Sequence, residues 1–234
     1  MNMTTTAIKE RPVLFNAPMV RAILDGRKTM TRRVVKNSPL AKNAERVLSY
    51  HGKTEFDFIL PNGSGHIVPC PYGEPGERLW VRETVSLQGF YCDDANYPPL
   101  QGRVAAECPV DARMTGIAIY KADGAKRTVR CLAPMVEGNC HWRPSIHMPR
   151  WASRLTLEIT DVRVERVQDI SEKDAIAEGI LEWTKSFRES GTYHPNGQLD
   201  AYPSTAFLRL WDEINGEGAA KENPWVWVVS FKRV

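Results

Sequence analysis

Apolar and polar positions along the chain fall into short alternating runs, with helical stripes between them. Arg78-Leu79-Trp80-Val81-Arg82, Leu155-Thr156-Leu157-Glu158-Ile159 and Val162-Arg163-Val164-Glu165-Arg166-Val167 repeat with a period of two. Each therefore reads as a strand, with Thr160-Asp161 as a bulge or turn between the last two. Ile117–Tyr120 reads as a further strand, and the apolar run Trp225–Phe231 as a closing one in which Trp225 and Trp227 share one face and Val226 and Val228 the other. Trp80, Trp211, Trp225 and Trp227 are expected in the core. Helical spacing appears three times. Asn16 is placed to cap a helix with Pro18 in its first turn, an apolar stripe at Val20, Ile23 and Leu24, and Gly26 as its stop. Ser171 with Asp174 resembles a capping box and opens a helix over 172–178 that stops at Gly179. Ser204 starts a third, whose Phe207, Leu208, Leu210, Trp211 and Ile214 form one face and which ends at Asn215-Gly216.

The segments between these elements are rich in turn formers. Residues 36–75 read as loop with a hairpin, 84–140 as an insertion with some β structure around a Tyr97-Pro98-Pro99 break, and 181–203 as a polar loop. The whole predicts one α+β, mainly β, domain over 1–234: a small mixed barrel with short helices packed outside it.

Composition sharpens this only in places. The 234 residues are 42% hydrophobic and 25% charged, a globular balance. No apolar run approaches bilayer length and residues 1–12 lack an apolar signal region, so the expectation is a cytoplasmic protein with no membrane partner. Five cysteines without regular spacing suit reduced thiols. Cys131, Cys140-His141 and His147 match no common zinc spacing, and neither metal nor cofactor is expected. A net charge of +3 does not by itself point to nucleic acid, whereas local clustering does: Arg27, Lys28, Arg32, Arg33 and Lys36 form one basic group and Arg143, Arg150 and Arg154 another.

The basic group sits in Gly26-Arg27-Lys28-Thr29-Met30-Thr31-Arg32-Arg33, directly after the first helix. Gly26-x-Lys28-x-x-x-x-Arg33 after a helix resembles the signature of the ASCH family of the PUA-like superfamily. The likeness continues in order. Pro75–Val81 resembles the family's Gly-Asp-x-Leu strand entry, and Leu155–Val167 its paired central strands. Ser171–Gly179 resembles its acidic helix and Trp225–Phe231 its closing strand. The matching blocks cover about half of the chain, the size of a small domain. Stretches at about 36–75, 84–150 and 181–203 are insertions relative to minimal members, and the full chain is most similar to long ASCH proteins of phages and prophages.

One branch of the family hydrolyses the amide of N4-acetylcytidine with a lysine, a threonine three residues on and a glutamate ending the acidic helix. The resemblance carries those roles to Lys28, Thr31 and Glu178, with Arg33 also matched. It implies an amidohydrolase acting on a modified pyrimidine nucleoside. A buried lysine crowded by arginines would have its pKa drawn down and could serve as a base, with either Thr31 or water as nucleophile. Gly26, Arg32 and Arg33 are the substrate-binding candidates of the same segment. Arg143, His147, Arg150 and Trp151 are those of a second loop suited to a base or a phosphate. The alternatives are a PUA-like protein that binds RNA, DNA or a modified base without chemistry, and a nuclease. Each residue also has a purely structural use, since a lysine after a helix end is favoured by the macrodipole alone. A carboxylate at a helix C-terminus opposes that dipole and invites an explanation.

Overall fold

The computed structural model describes residues 8–36, 42–49, 55–92, 114–131, 142–180 and 202–234. Its elements run β1 (Glu10–Leu14), α1 (Ala17–Leu24), β2 (Met30–Val34), β3 (Arg46–Ser49), β4 (Glu55–Ile59), β5 (Gly65–Pro69) and β6 (Arg78–Arg82). There follow β7 (Val85–Cys92), β8 (Met114–Tyr120), β9 (Lys126–Cys131), β10 (Thr156–Arg166), α2 (Glu172–Ala177), α3 (Pro203–Asn215) and β11 (Trp225–Arg233). The class is α+β, mainly strand. The sheets are open: five strands in the order β1-β6-β10-β11-β2, and two three-stranded meanders, β3-β4-β5 and β7-β8-β9. Among the described residues no helix is long and apolar enough to cross a membrane.

The chain divides into two compact units. The first comprises Met1–Arg11, Ala22–Leu79 and Leu157–Val234. In it β11 pairs antiparallel with β10 on one side and β2 on the other. Pairing sets the faces. Met30, Val226 and Val228 point to α2 and α3 and pack with Val167, Ile170, Ala175, Phe207 and Trp211. Trp227 points the opposite way and meets Phe56 and Phe58 of β4 edge-on, with centroids 5.2 and 6.3 Å apart. Burial of each such side chain stabilises by about 1.5–3 kcal/mol, and edge-to-face aromatic pairs add about 0.5–1.5 kcal/mol.

The second unit comprises Pro12–Arg21 and Trp80–Thr156. Val85, Ala118, Tyr120, Met148 and Ala152 form its core, with Trp151 packed against them. Beside that core Arg154 makes two hydrogen bonds to the buried carboxylate of Glu83 (2.8 and 2.9 Å), reaches Asp123, and lies 4.1 Å from the Tyr120 ring centre. Burial acts against the Arg154 charge, but Glu83 and Asp123 outweigh it and hold its pKa above the ordinary value.

Several sequence expectations change. Residues 36–75 hold a hairpin, β4-β5, extended by β3 to a three-stranded meander: Phe56 and Phe58 alternate inward on β4, and Pro61-Asn62-Gly63-Ser64 is the turn to β5, with Gly63 at φ +80°. The alternation was outweighed by turn formers on either side. Thr156–Arg166 is one strand with a bulge between Ile159 and Asp161, one of the two readings of Thr160-Asp161, rather than two paired strands. The third helix starts at Pro203 with Tyr202 as N-cap, so Ser204 is not the cap. Its N-terminal amide at Ser204 is instead met by the Glu172 carboxylate of α2, and Ile214, expected on the apolar face, is exposed. The second half of the octet, from Met30 to Arg33, belongs to strand β2. Residues 93–113, 132–141 and 181–201 of the expected insertions, with Cys140 and His141, lie outside the described residues.

The two helix ends of the first unit follow one plan. After α1, Gly26 donates to Ile23 (3.1 Å) and Arg27 to Ala22 (2.8 Å). After α2, Gly179 donates to Ile176 (2.9 Å) and Ile180 to Ala175 (3.4 Å). Both are Schellman closures with a left-handed glycine, at φ +73° and +86°. They differ in surroundings. A Cβ on Gly26 would meet nothing within 4 Å, whereas one on Gly179 would lie 3.1 Å from Ala22 Cβ and 3.2 Å from Lys28 Cβ. Gly26→Ala should therefore cost about 1–2 kcal/mol, the left-handed penalty alone. Gly179→Ala should cost measurably more in urea unfolding. Equal costs would show that the close approach to Lys28 carries no energy.

Candidate functional site

The turn from α1 into β2 lies against the C-terminal end of α2. Lys28 N–H donates to Ala22 (2.9 Å), Thr29 N–H donates to the last helical carbonyl of α2 at Ala177 (2.8 Å), and Thr29 C=O accepts from Phe231 of β11 (2.8 Å). The backbone of the octet is thus fixed at three points before any side chain acts. α2 itself is set by Ser171, whose hydroxyl accepts from Asp174 N–H (3.1 Å) as the sequence anticipates.

This docking delivers Lys28 to Glu178, a residue 150 positions away. The ammonium donates to the Glu178 carboxylate Oε2 at 2.6 Å and to its backbone carbonyl at 3.0 Å. The side chains are 1% and 6% exposed. Both observations answer the two puzzles of the sequence. Glu178 tolerates a helix C-terminus because a cation sits on it, and Lys28 caps α2 rather than α1. Burial draws the Lys28 pKa below that of an ordinary lysine; Glu178 pulls the other way, and Arg33 and Arg32 add to the lowering.

Arg32 lies on the same side. Its side chain is 0% exposed and its guanidinium reaches Asp174 Oδ2 at 2.7 Å, Glu165 Oε2 at 3.0 Å and Glu178 Oε1 at 3.5 Å. Arg163 binds Glu165 and Asp174 as well. Asp174 and Glu178 are four apart on α2, and Arg163 and Glu165 two apart on β10, so each pair shares a face. Three carboxylates thus gather about Arg32 with their oxygens taken by ammonium and guanidinium donors. Among the described residues no three potential metal ligands come together as a site.

Alternation along β2 turns Thr31 and Arg33 to the face opposite Met30 and Arg32, where their partners on β11 are Val229 and Trp227. Thr31 is buried and Arg33 half-buried. Gly26 is the exposed turn before them, and Arg27 pairs with Asp25 at 2.8 Å. The other candidates belong to the second unit. Arg143 exchanges backbone hydrogen bonds with Val85 (2.8 and 3.2 Å), and His147 is exposed on the short turn Ser145–His147. Arg150 lies 5.8 Å from the Trp80 ring centre, and Trp151 is half-buried on the Tyr120 core. Arg154, grouped with them in the sequence, is bound to Glu83 and Asp123. The structure therefore unites Lys28, Glu178 and Arg32. It adds Glu165, Asp174 and Arg163, which the sequence did not single out although their spacing was visible.

Two outcomes follow. Removing one member of a buried ion pair costs about 3–5 kcal/mol, because the other is left uncompensated. Lys28→Met should fall in that range, and Lys28→Met with Glu178→Leu should recover part of it; additive losses would deny the coupling. The lowered Lys28 pKa also has a sign. The unfolded chain keeps this proton to higher pH than the folded one, so the stability contribution of Lys28 rises with pH between the folded midpoint and about 10.4, the ordinary lysine value. A titration of Lys28 Nζ by nitrogen NMR that ends at or above the exposed lysines would contradict it. No protein-family model, curated protein or solved structure matches the chain, so its chemistry has to be read from these residues.

Proposed function

We propose that the chain is an ASCH-type, PUA-like hydrolase that cleaves the amide of a modified pyrimidine nucleoside, with N4-acetylcytidine as the substrate to test. The single observation that supports this is the buried Lys28–Glu178 pair at 2.6 Å, a base and an acid joined across 150 residues at the two positions the family resemblance marks.

Amide hydrolysis needs a base for the nucleophile, a proton for the leaving amine and a donor for the oxyanion. In this proposal neutral Lys28 takes a proton from water as its oxygen adds to the acetyl carbon. The C–N4 bond then breaks while the Lys28–Glu178 pair returns that proton to N4, which leaves cytidine and acetate. Arg33 is assigned to the developing oxyanion or the pyrimidine carbonyl. Water is taken as the nucleophile here, and Thr31, on the same face of β2 as Arg33, is the alternative. An acetylated chain trapped by rapid quenching would assign the attack to Thr31 instead.

Purified protein incubated with N4-acetylcytidine should release cytidine, detected by chromatography. Turnover should rise with pH as Lys28 loses its proton, with a midpoint below that of an ordinary lysine. Lys28→Ala and Glu178→Gln should each lower it about 100-fold or more. Absent turnover, or turnover unchanged in Lys28→Ala, would overturn the reading; retained nucleoside binding without turnover would favour a binding protein.

A further inference from the structure

The first unit buries a guanidinium that the three-group mechanism does not use. Arg32 has no exposed side-chain surface, lies 5.8 Å from the Phe207 ring centre of α3, and faces Glu165 of β10 and Asp174 and Glu178 of α2. The three carboxylates are matched in charge by Lys28, Arg32 and Arg163, which shares two of them with Arg32. What distinguishes Arg32 is the way it divides its donors. Nη2 takes the two short contacts, to Asp174 and Glu165 (2.7 and 3.0 Å), and ties β2 to the first turn of α2 and to β10. Nη1 lies 3.4 Å from Met30 Sδ and 3.5 Å from Glu178 Oε1, while Oε2 of the same carboxylate holds Lys28 at 2.6 Å.

We propose that Arg32 is a positioning residue: anchored by Asp174 and Glu165, it fixes the Glu178 carboxylate so that one oxygen is committed to Lys28. This rests on the hydrolase reading for its consequence and on geometry for its substance. The fork matters more than the charge. A planar guanidinium can anchor at one nitrogen and direct the other at a fixed angle, which an ammonium on a flexible stem cannot do. The long Glu178 contact is part of the arrangement, because a short one would draw the carboxylate off Lys28. Arg32 is thereby removed from the residues that meet substrate, although its place in the octet suggests that role.

The test follows the Lys28 amine rather than the reaction alone. The charged groups acting on Lys28 are Glu178 from α2 and Arg33 and Arg32 from β2. Arg32→Lys keeps the positive charge and loses the fork, so Glu178 slackens and its support of the Lys28 charge weakens. The Lys28 midpoint, read by nitrogen NMR, should fall by up to about one unit. Turnover of N4-acetylcytidine should fall about 10- to 100-fold in kcat with KM little changed. Asp174→Asn, at a part-exposed position, keeps the falsification open should Arg32→Lys fail to fold. It frees the guanidinium to compete for Glu178 and should lower the Lys28 midpoint in the same direction. An unmoved or raised midpoint in the folded variants overturns the positioning role whatever the substrate is. Absent turnover in the unaltered chain overturns the hydrolase reading, and the titration still decides this one.

Discussion

A carboxylate at the end of a helix is opposed twice, by the helix dipole and, once buried, by the loss of water. Glu178 is in that position, and the arrangement of the first unit can be derived from what it requires. An ammonium must reach it, and Lys28 must arrive with its stem already desolvated. The turn that carries Lys28 must then lie against the helix end closely enough for backbone hydrogen bonds, which Thr29 and Ala177 supply. Such an approach crowds any Cβ at the next residue to 3.1–3.2 Å from Ala22 and Lys28, and position 179 is glycine. The dipole, the ion pair, the Schellman closure and the glycine are consequences of one buried charge.

The pair explains why the sheet is built as it is around it. Among the described residues β2 is an edge strand paired with β11 alone, yet it carries Thr31 and Arg32, both almost fully buried. An edge strand is the least restrained part of a sheet. Tying it to α2 through Asp174, and to β10 through Glu165, gives it a second set of bonds that its missing neighbour cannot. The helices α2 and α3 are in turn joined by Glu172, which meets the N-terminal amide of Ser204. The polar network and the apolar cluster around Phe207 and Trp211 therefore hold the same elements from two sides.

Much of this was legible in the chain, and the boundary of legibility is physical. Helix starts and stops were visible because they depend on local chemistry: Asn16, Gly26, Ser171 and Gly179 act where the sequence places them. The strand at Thr156 was visible because burial on one face leaves alternation, and those at Arg78 and Trp225, buried on both faces, as short apolar runs. β2 was hidden because its buried positions include the polar Thr31 and Arg32, and the carboxylates that meet Arg32, Glu165 and Asp174, lie far along the chain. β4 was hidden by the turn formers flanking it. The Lys28–Glu178 meeting was foreseen only through family likeness; no local rule relates residues 150 apart. Asp174 could have been found from its spacing to Glu178, which puts both on one helical face.

The two units offer a comparison that isolates what is particular to the octet. Arg154 and Arg32 are both guanidinium groups out of water beside carboxylates. Arg154 gives two donors to Glu83 at 2.8 and 2.9 Å and two to Asp123 at 2.8 and 3.0 Å, so that each carboxylate is held at both oxygens. Arg32 spreads its donors over three carboxylates and leaves one of them, Glu178, mainly to a lysine. Burial alone would favour the first solution, since a bidentate pair recovers more of the lost hydration than a long single contact. The second solution is the less stable way to bury an arginine, and it makes sense where the carboxylate has to stay engaged with a neighbouring amine whose proton is loosely held. In the proposed reading, such an amine, with its hold on the proton weakened by burial and its partner carboxylate shared with Arg32, is the combination a proton-transfer site requires.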